Sequence, residues 1–273
     1  MSLGLLDAVV LGVVEGLTEF LPVSSTGHLT IAEGLLGLDV DDPAVTAFTA
    51  VIQTGAIAAV LLFFAKDILR FAQSFVAGVR SKSGRQTDDW RFTLAVVLGS
   101  LPIGVVGLLF RDVIKGPVLR SLVTVGIALI AWSAVMVLAE RRATQERGEA
   151  QVRISDGLMI GLAQCVALVP GVSRSGATIS AGLLRGLDRV TATRLSFFLA
   201  IPALTAAGAL ELTSALGGSV GLGPVLVGTV VSFVVAYATI ALLLRFVANH
   251  SIVAFVPYRI ALGVVVLGVL AVT

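Results

Sequence analysis

Charge is scarce in this chain: only 13% of its 273 residues are Asp, Glu, Lys or Arg, about half the fraction of an average soluble domain. With 57% hydrophobic residues and a mean hydropathy of +1.02, that scarcity excludes a soluble globular domain and marks an integral membrane protein. Cysteine is almost absent. The single Cys165 lies in an apolar stretch, where it reads as a small buried packing residue, so there is no disulfide framework and no thiol pair for a metal. The net charge is only +2, and the basic residues sit in loops between apolar runs, a topology signal and no nucleic-acid footprint. Residues 1–6 hold no basic residue, and Asp7, Glu15 and Glu19 interrupt the apolar run there, so no cleavable signal is expected.

What the chain has in quantity is apolar length. Six runs are long enough to cross a bilayer: about 44–65, 92–110, 121–139, 195–212, 224–244 and 255–272. Two regions behave differently. Residues 5–21 are apolar but carry Glu15 and Glu19, break at Pro22 and resume only for 28–38; residues 154–169 and 179–187 repeat the pattern around a Gly/Ser/Pro turn. Two short helical arms joined by a polar turn predict a re-entrant hairpin, which is tolerated at membrane depth only inside protein or beside a water-filled cavity. The stretch 70–90 reads as a loop.

The two hairpins are copies at a constant offset of 149. Asp7 aligns with Asp156, Gly12 with Gly161, Ser24 with Ser173, Gly27 with Gly176, Leu35 with Leu184, Gly37 with Gly186 and Asp39 with Asp188, without a gap. The expected architecture is therefore all-α: one membrane domain of six transmembrane helices and two re-entrant hairpins, built as repeat 1 (1–139), a polar linker (140–153) and repeat 2 (154–273). Counting Lys and Arg in the loops gives one side Lys66, Arg70, Arg80, Arg141, Arg142, Arg147, Arg189 and Arg194 among others, against Arg111, Lys115 and Arg120 on the other. The first side is then cytoplasmic, with both termini outside. Three spans separate the repeats, so the second is inverted and the hairpins meet near the midplane, where such folds build their sites.

Glu15 and Glu19 stand four apart, on one helical face and about 40° from each other. An ionised carboxylate at membrane depth costs on the order of 2.5–3.5 kcal/mol on insertion scales, so the pair must be wet, protonated, paired or metal-bound. They lead into Ser24-Ser25-Thr26-Gly27-His28, a hydroxyl-rich turn ending in one of two histidines; the other, His250, sits in a polar loop and reads as solvated. The second hairpin differs at the matching positions: Glu15 becomes Gln164, Glu19 becomes Leu168, Ser25 becomes Arg174 and His28 becomes Ala177. One turn offers carboxylates, a hydroxyl and an imidazole. The other offers a guanidinium, suited to bidentate phosphate recognition, and backbone N–H groups freed by Gly171 and Gly176. Together these are the parts for phosphoryl transfer, with Ser24, Thr26, Gly171, Ser173, Ser175, Gly176 and Thr178 as candidate phosphate contacts. Glu15 and Glu19 are also candidate ligands for a divalent ion bridging phosphate oxygens.

The stretches Glu15-Gly-Leu-Thr-Glu-Phe-Leu-Pro-Val-Ser-Ser-Thr-Gly-His28 and Pro170-Gly-Val-Ser-Arg-Ser-Gly-Ala-Thr178 resemble the signature pair of the bacterial undecaprenyl-diphosphate phosphatases of the bacitracin-resistance type. Length, span order and linker agree; Val169 replaces the tryptophan common in that family. The resemblance implies release of phosphate from undecaprenyl diphosphate, a polyprenyl lipid substrate, which regenerates the carrier for peptidoglycan synthesis at the outer face of the bacterial plasma membrane. It implies Glu15 and Glu19 as the acidic motif, Ser25 as nucleophile, His28 as acid/base, Ser173, Arg174, Ser175 and Thr178 as the phosphate-binding motif, and a Mg2+ or Ca2+ requirement. Proton transfer from Ser25 to Glu19 or His28, or direct attack by an activated water, remain open alternatives on the residues alone. The rival class is an inverted-repeat transporter or flippase of a phosphorylated lipid or anion; a non-catalytic scaffold leaves the intramembrane carboxylates unexplained. Small residues such as Gly208 and Gly263 suit packing against a second copy, a homodimer, or within the fold.

Overall fold

Serine and aspartate caps set where the helices begin. In the computed structural model, which describes residues 3–40, 42–114, 116–216 and 221–272, the order is α1 (Leu5–Thr18), α2 (Ser25–Leu35), α3 (Pro43–Phe63), α4 (Ala65–Arg80), α5 (Asp88–Leu109), α6 (Arg111–Ile114), α7 (Pro117–Arg120), α8 (Leu122–Arg142), α9 (Ile154–Val166), α10 (Arg174–Leu184), α11 (Arg189–Leu216), α12 (Leu222–Asn249) and α13 (Val256–Val272). Lys115, counted in the charge argument, lies outside the described residues. No strand occurs among the described residues, only an isolated bridge from Arg147 to Leu187.

Among the described residues, five helical segments are long and apolar enough to cross a membrane: Pro43–Phe63, Asp88–Leu109, Leu122–Arg142, Leu222–Asn249 and Ile252–Val272. The sixth expected run, 195–212, falls within the 28-residue α11. The stretch expected as a loop is largely helix. Leu69, Phe71, Ala72, Phe75, Val76 and Val79 recur at helical spacing in α4, and Phe71 stacks on Phe92 of α5 with ring centroids 4.6 Å apart. Cys165, expected to be buried, is only half-buried.

Both hairpin helices start earlier than their apolar runs. Ser24 and Ser173 hold the same positive φ, 79° and 76°, and each hydroxyl accepts the N–H three residues on, from Gly27 (3.4 Å) and Gly176 (3.1 Å). These caps start α2 at Ser25 and α10 at Arg174, which puts Ser25 and Arg174 at matching first positions. The parallel extends to Asp7 and Asp156, which accept the N–H groups of Gly4 (2.8 Å) and Arg153 (2.9 Å).

The two halves of the chain interlock. α1 lies on α12 and α9 lies on α5, each through glycine: a Cβ on Gly12 would stand 2.7 Å from the Gly228 carbonyl oxygen, and one on Gly161 would collide with that of Gly99. Small residues let the backbones approach closely where lipid supplies no hydrophobic drive. α8 and α13 cross at Gly126 and Gly263, so Gly263 packs within the fold; the same holds for Gly208, beside Thr54 and Ile57. The basic residues that the sequence assigns to one side are knitted together there. Arg70 and Arg194 share Glu149 and Asp67, Arg147 and Arg185 share the fully buried Asp156, and Arg189 pairs with Glu140. The guanidiniums hold the Asp156 carboxyl below the usual carboxylate range, although burial pushes it upward.

Candidate active site

Each hairpin turn is short because a serine at positive φ bends it, and the two turns touch. The Ser24 hydroxyl accepts the Gly171 N–H at 3.1 Å, and the Ser175 hydroxyl donates to the Leu21 carbonyl at 2.9 Å. Gly171 has φ +97° and lies against the backbone of Val125, so no side chain fits there. A residue outside both motifs fastens the pair. Arg259 of α13, fully buried, donates to the carbonyls of Pro22 (2.9 Å), Gly171 (3.0 Å), Val172 (3.2 Å) and Leu129 (3.4 Å) and to the Ser133 hydroxyl (3.2 Å).

The Glu19 carboxylate is the hub of the contact. One oxygen accepts Arg174 Nη2 at 2.8 Å; the other accepts the Ser25 hydroxyl at 2.6 Å and lies 3.5 Å from Gln53 Nε2. Arg174 also donates to the Glu19 and Ser196 carbonyls and lies over the Phe20 ring, 5.7 Å from its centroid. Glu15, one turn earlier, is fully buried, and neither carboxylate oxygen meets a hydrogen-bond partner among the described residues. His28 turns elsewhere: its Nδ1 is 2.7 Å from the Ser24 carbonyl and its Nε2 is 2.7 Å from the Tyr258 hydroxyl.

Above this hub opens a cavity of about 680 Å³. Glu19, Ser24, Ser25, Thr26, Ser173 and Arg174 line its floor; Gln53 and Ser100 add polar wall, and apolar residues of α5 and α11 form the sides. Glu15, His28, Gly171, Ser175, Gly176 and Thr178 are not part of the lining. Ser175 and Thr178 are engaged within the protein, Thr178 donating to the Arg174 carbonyl (2.9 Å) and Ser196 hydroxyl (2.6 Å). Chemically the floor offers a hydroxyl already bonded to a carboxylate, and a guanidinium whose Nη1 and Nη2 bond protein oxygens while its buried Nε meets no partner among the described residues. These are groups that an activated oxygen nucleophile and an oxyanion clamp would require.

The family description "Bacitracin resistance protein BacA" matches residues 8–265. The chain belongs to that family. Within the BacA family it is 57% identical over 272 residues to undecaprenyl-diphosphatase 3 of Frankia casuarinae, covering 98% of both chains. It is 56% identical over 265 residues to undecaprenyl-diphosphatase 1 of Streptomyces coelicolor, covering 97% of this chain and 95% of that one. It is 50% identical over 275 residues to the undecaprenyl-diphosphatase of Cutibacterium acnes, with 97% and 96% covered.

Sequence reasoning missed Arg259, Gln53 and Tyr258. A lone arginine in an apolar span was the available signal for Arg259, since such a residue must find acceptors. Nothing local marks Gln53 or Tyr258.

Proposed function

We propose that this BacA-family chain hydrolyses undecaprenyl diphosphate to undecaprenyl phosphate and inorganic phosphate at the floor of the cavity. The observation that carries the site assignment is the Ser25–Glu19–Arg174 chain: one carboxylate takes the nucleophile's proton at 2.6 Å and a phosphate-binding guanidinium at 2.8 Å. Ser25 attacks the terminal phosphorus while its proton passes to Glu19, and the bond from that phosphorus to the bridging oxygen breaks, releasing undecaprenyl phosphate, whose leaving oxygen takes that proton from Glu19. Water then displaces the phosphoryl group from Ser25, with Glu19 as the base. Glu19 takes this role rather than His28 because both imidazole nitrogens are engaged away from Ser25. Arg174 and the N–H groups opening α10 neutralise charge on the transferring group.

The donor set suits a divalent ion of the magnesium type, which is commonly held by one or two carboxylates plus substrate phosphate oxygens. The unpartnered oxygens of Glu15 and the adjacent Glu19 would hold it. Bound there, it would supply charge neutralisation at the phosphates.

We place the six spans, with α11 as the sixth, and the two re-entrant hairpins in an inverted repeat in the bacterial plasma membrane, both termini and the cavity mouth on the outer face. Support comes from the wall of the cavity, which runs along α5 to Arg111 on the side poor in basic residues. The test is phosphate release by the detergent-solubilised protein given a polyprenyl diphosphate, with and without chelator. Release is expected, and chelator should suppress it. A transporter needs two compartments and would release none, and that outcome would end the enzymatic reading.

A further inference from the structure

The cavity continues well beyond the reacting groups. Its α5 wall is a single helical stripe, Val97, Leu101, Gly104 and Leu108, which extends to Arg111 at the start of α6. At 1.5 Å per residue, Val97 to Leu108 covers about 16 Å. The floor lies at the near end of that stripe: Arg174 bonds the Ser196 carbonyl, and Leu199, one turn further along α11, meets Gly99. Along α5, Arg111 is therefore about three helical turns beyond the level of Arg174.

Among the described residues, three charged ones line the cavity: Glu19, Arg174 and Arg111. Glu19 and Arg174 neutralise each other at 2.8 Å. Among the described residues no carboxylate pairs with Arg111, and the neighbouring Asp112 is exposed and outside the lining. The uncompensated charge of the cavity thus sits at its far end, on an exposed arginine, with low-dielectric walls between it and the floor. Such walls focus a field onto an incoming anion. The path between the two arginines is also clear, because Gly104 and Gly107 line it and a Cβ added at either would meet nothing within 4 Å.

We propose that Arg111 is the capture residue for the diphosphate headgroup: it binds the anion at the mouth and releases it along the glycine-lined wall to Arg174. This rests on the cavity being the reaction site. A residue that acts before the chemical step should govern kcat/KM through KM, lose its effect in salt, and accept lysine as a substitute.

The experiment compares wild type, Arg111→Ala, Arg111→Lys and Arg174→Ala in micelles of uncharged detergent, measuring phosphate release from a polyprenyl diphosphate at several NaCl concentrations. In Arg111→Ala the KM should rise on the order of tenfold at low salt, with the loss falling on KM more than on kcat. The salt dependence seen in wild type should flatten, and Arg111→Lys should restore most of the difference. An Arg111→Ala enzyme with wild-type KM and salt response overturns the proposal, and so does a loss confined to kcat or one that lysine fails to rescue. Arg174→Ala separates the two levels of argument. If it is inactive while Arg111→Ala is normal, only the capture role falls; if it too is fully active, the cavity is not the reaction site.

Discussion

Arg174 and Glu19, separated by 155 positions, form an ion pair in which Nη2 donates to Oε1 over 2.8 Å and to the Glu19 carbonyl over 3.2 Å. The guanidinium therefore grips both the side chain and the backbone of the turn it faces. Removing it should take away the phosphate clamp and release the carboxylate that orients Ser25. Arg174→Ala is expected to lower kcat/KM by on the order of 10²–10³-fold or more. Arg174→Lys, which keeps the charge without the fork, should fall in between. Near-normal phosphate release by the alanine variant would remove the clamp from the mechanism.

The 2.6 Å bond from Ser25 to Glu19 makes a covalent intermediate testable. Acid quenching during turnover of terminally labelled diphosphate should trap label on Ser25, and Ser25→Ala should reduce kcat on the order of 10²-fold or more. An alanine variant that turns over normally would assign the attack to water.

Arg259 touches neither Ser25 nor the cavity lining, yet it supplies donors to Pro22, Gly171 and Val172 on the two turns. Arg259→Leu strands those buried carbonyls, an effect of about 3 kcal/mol for donors of a charged group. The melting temperature in detergent should drop well below that of Arg259→Lys, which keeps one cationic donor. Equal melting of Arg259→Leu and wild type would contradict this role.

Asp156 carries the pH dependence. Its folded-state carboxyl is held low by Arg147 and Arg185 against the upward push of burial. A depressed carboxyl stabilises the fold fully above its unfolded value of about 3.9. That stability is lost as pH falls through the lower, folded value. Thermal stability should therefore decline as pH is lowered below about 4, and Asp156→Asn should be less stable at pH 7 with a shallower acid decline. Parallel pH profiles for the two proteins would rule out this origin.

The membrane class, the two hairpins, their 149-residue register and the chemical inequality of their turns were all legible in the chain, because hydropathy, serine caps and glycine spacing act over a few residues. Ser24 and Ser173 show the limit of that reading: the duplication was visible, but their caps carry the helices back to Ser25 and Arg174, ahead of the apolar runs. The apolar face of α4 was present too, hidden by the charges on its other side.

Tertiary packing alone decided who bonds whom. Ser25 had Glu19 six residues before it and His28 three residues after it, and the structure bonds it to the more distant Glu19 while Tyr258 of α13 engages His28. Gln53, Arg111 and Arg259 entered the cavity or its supports from α3, α6 and α13. A contact between segments more than a hundred residues apart depends on the register of every helix packed between them, and no local pattern encodes that register.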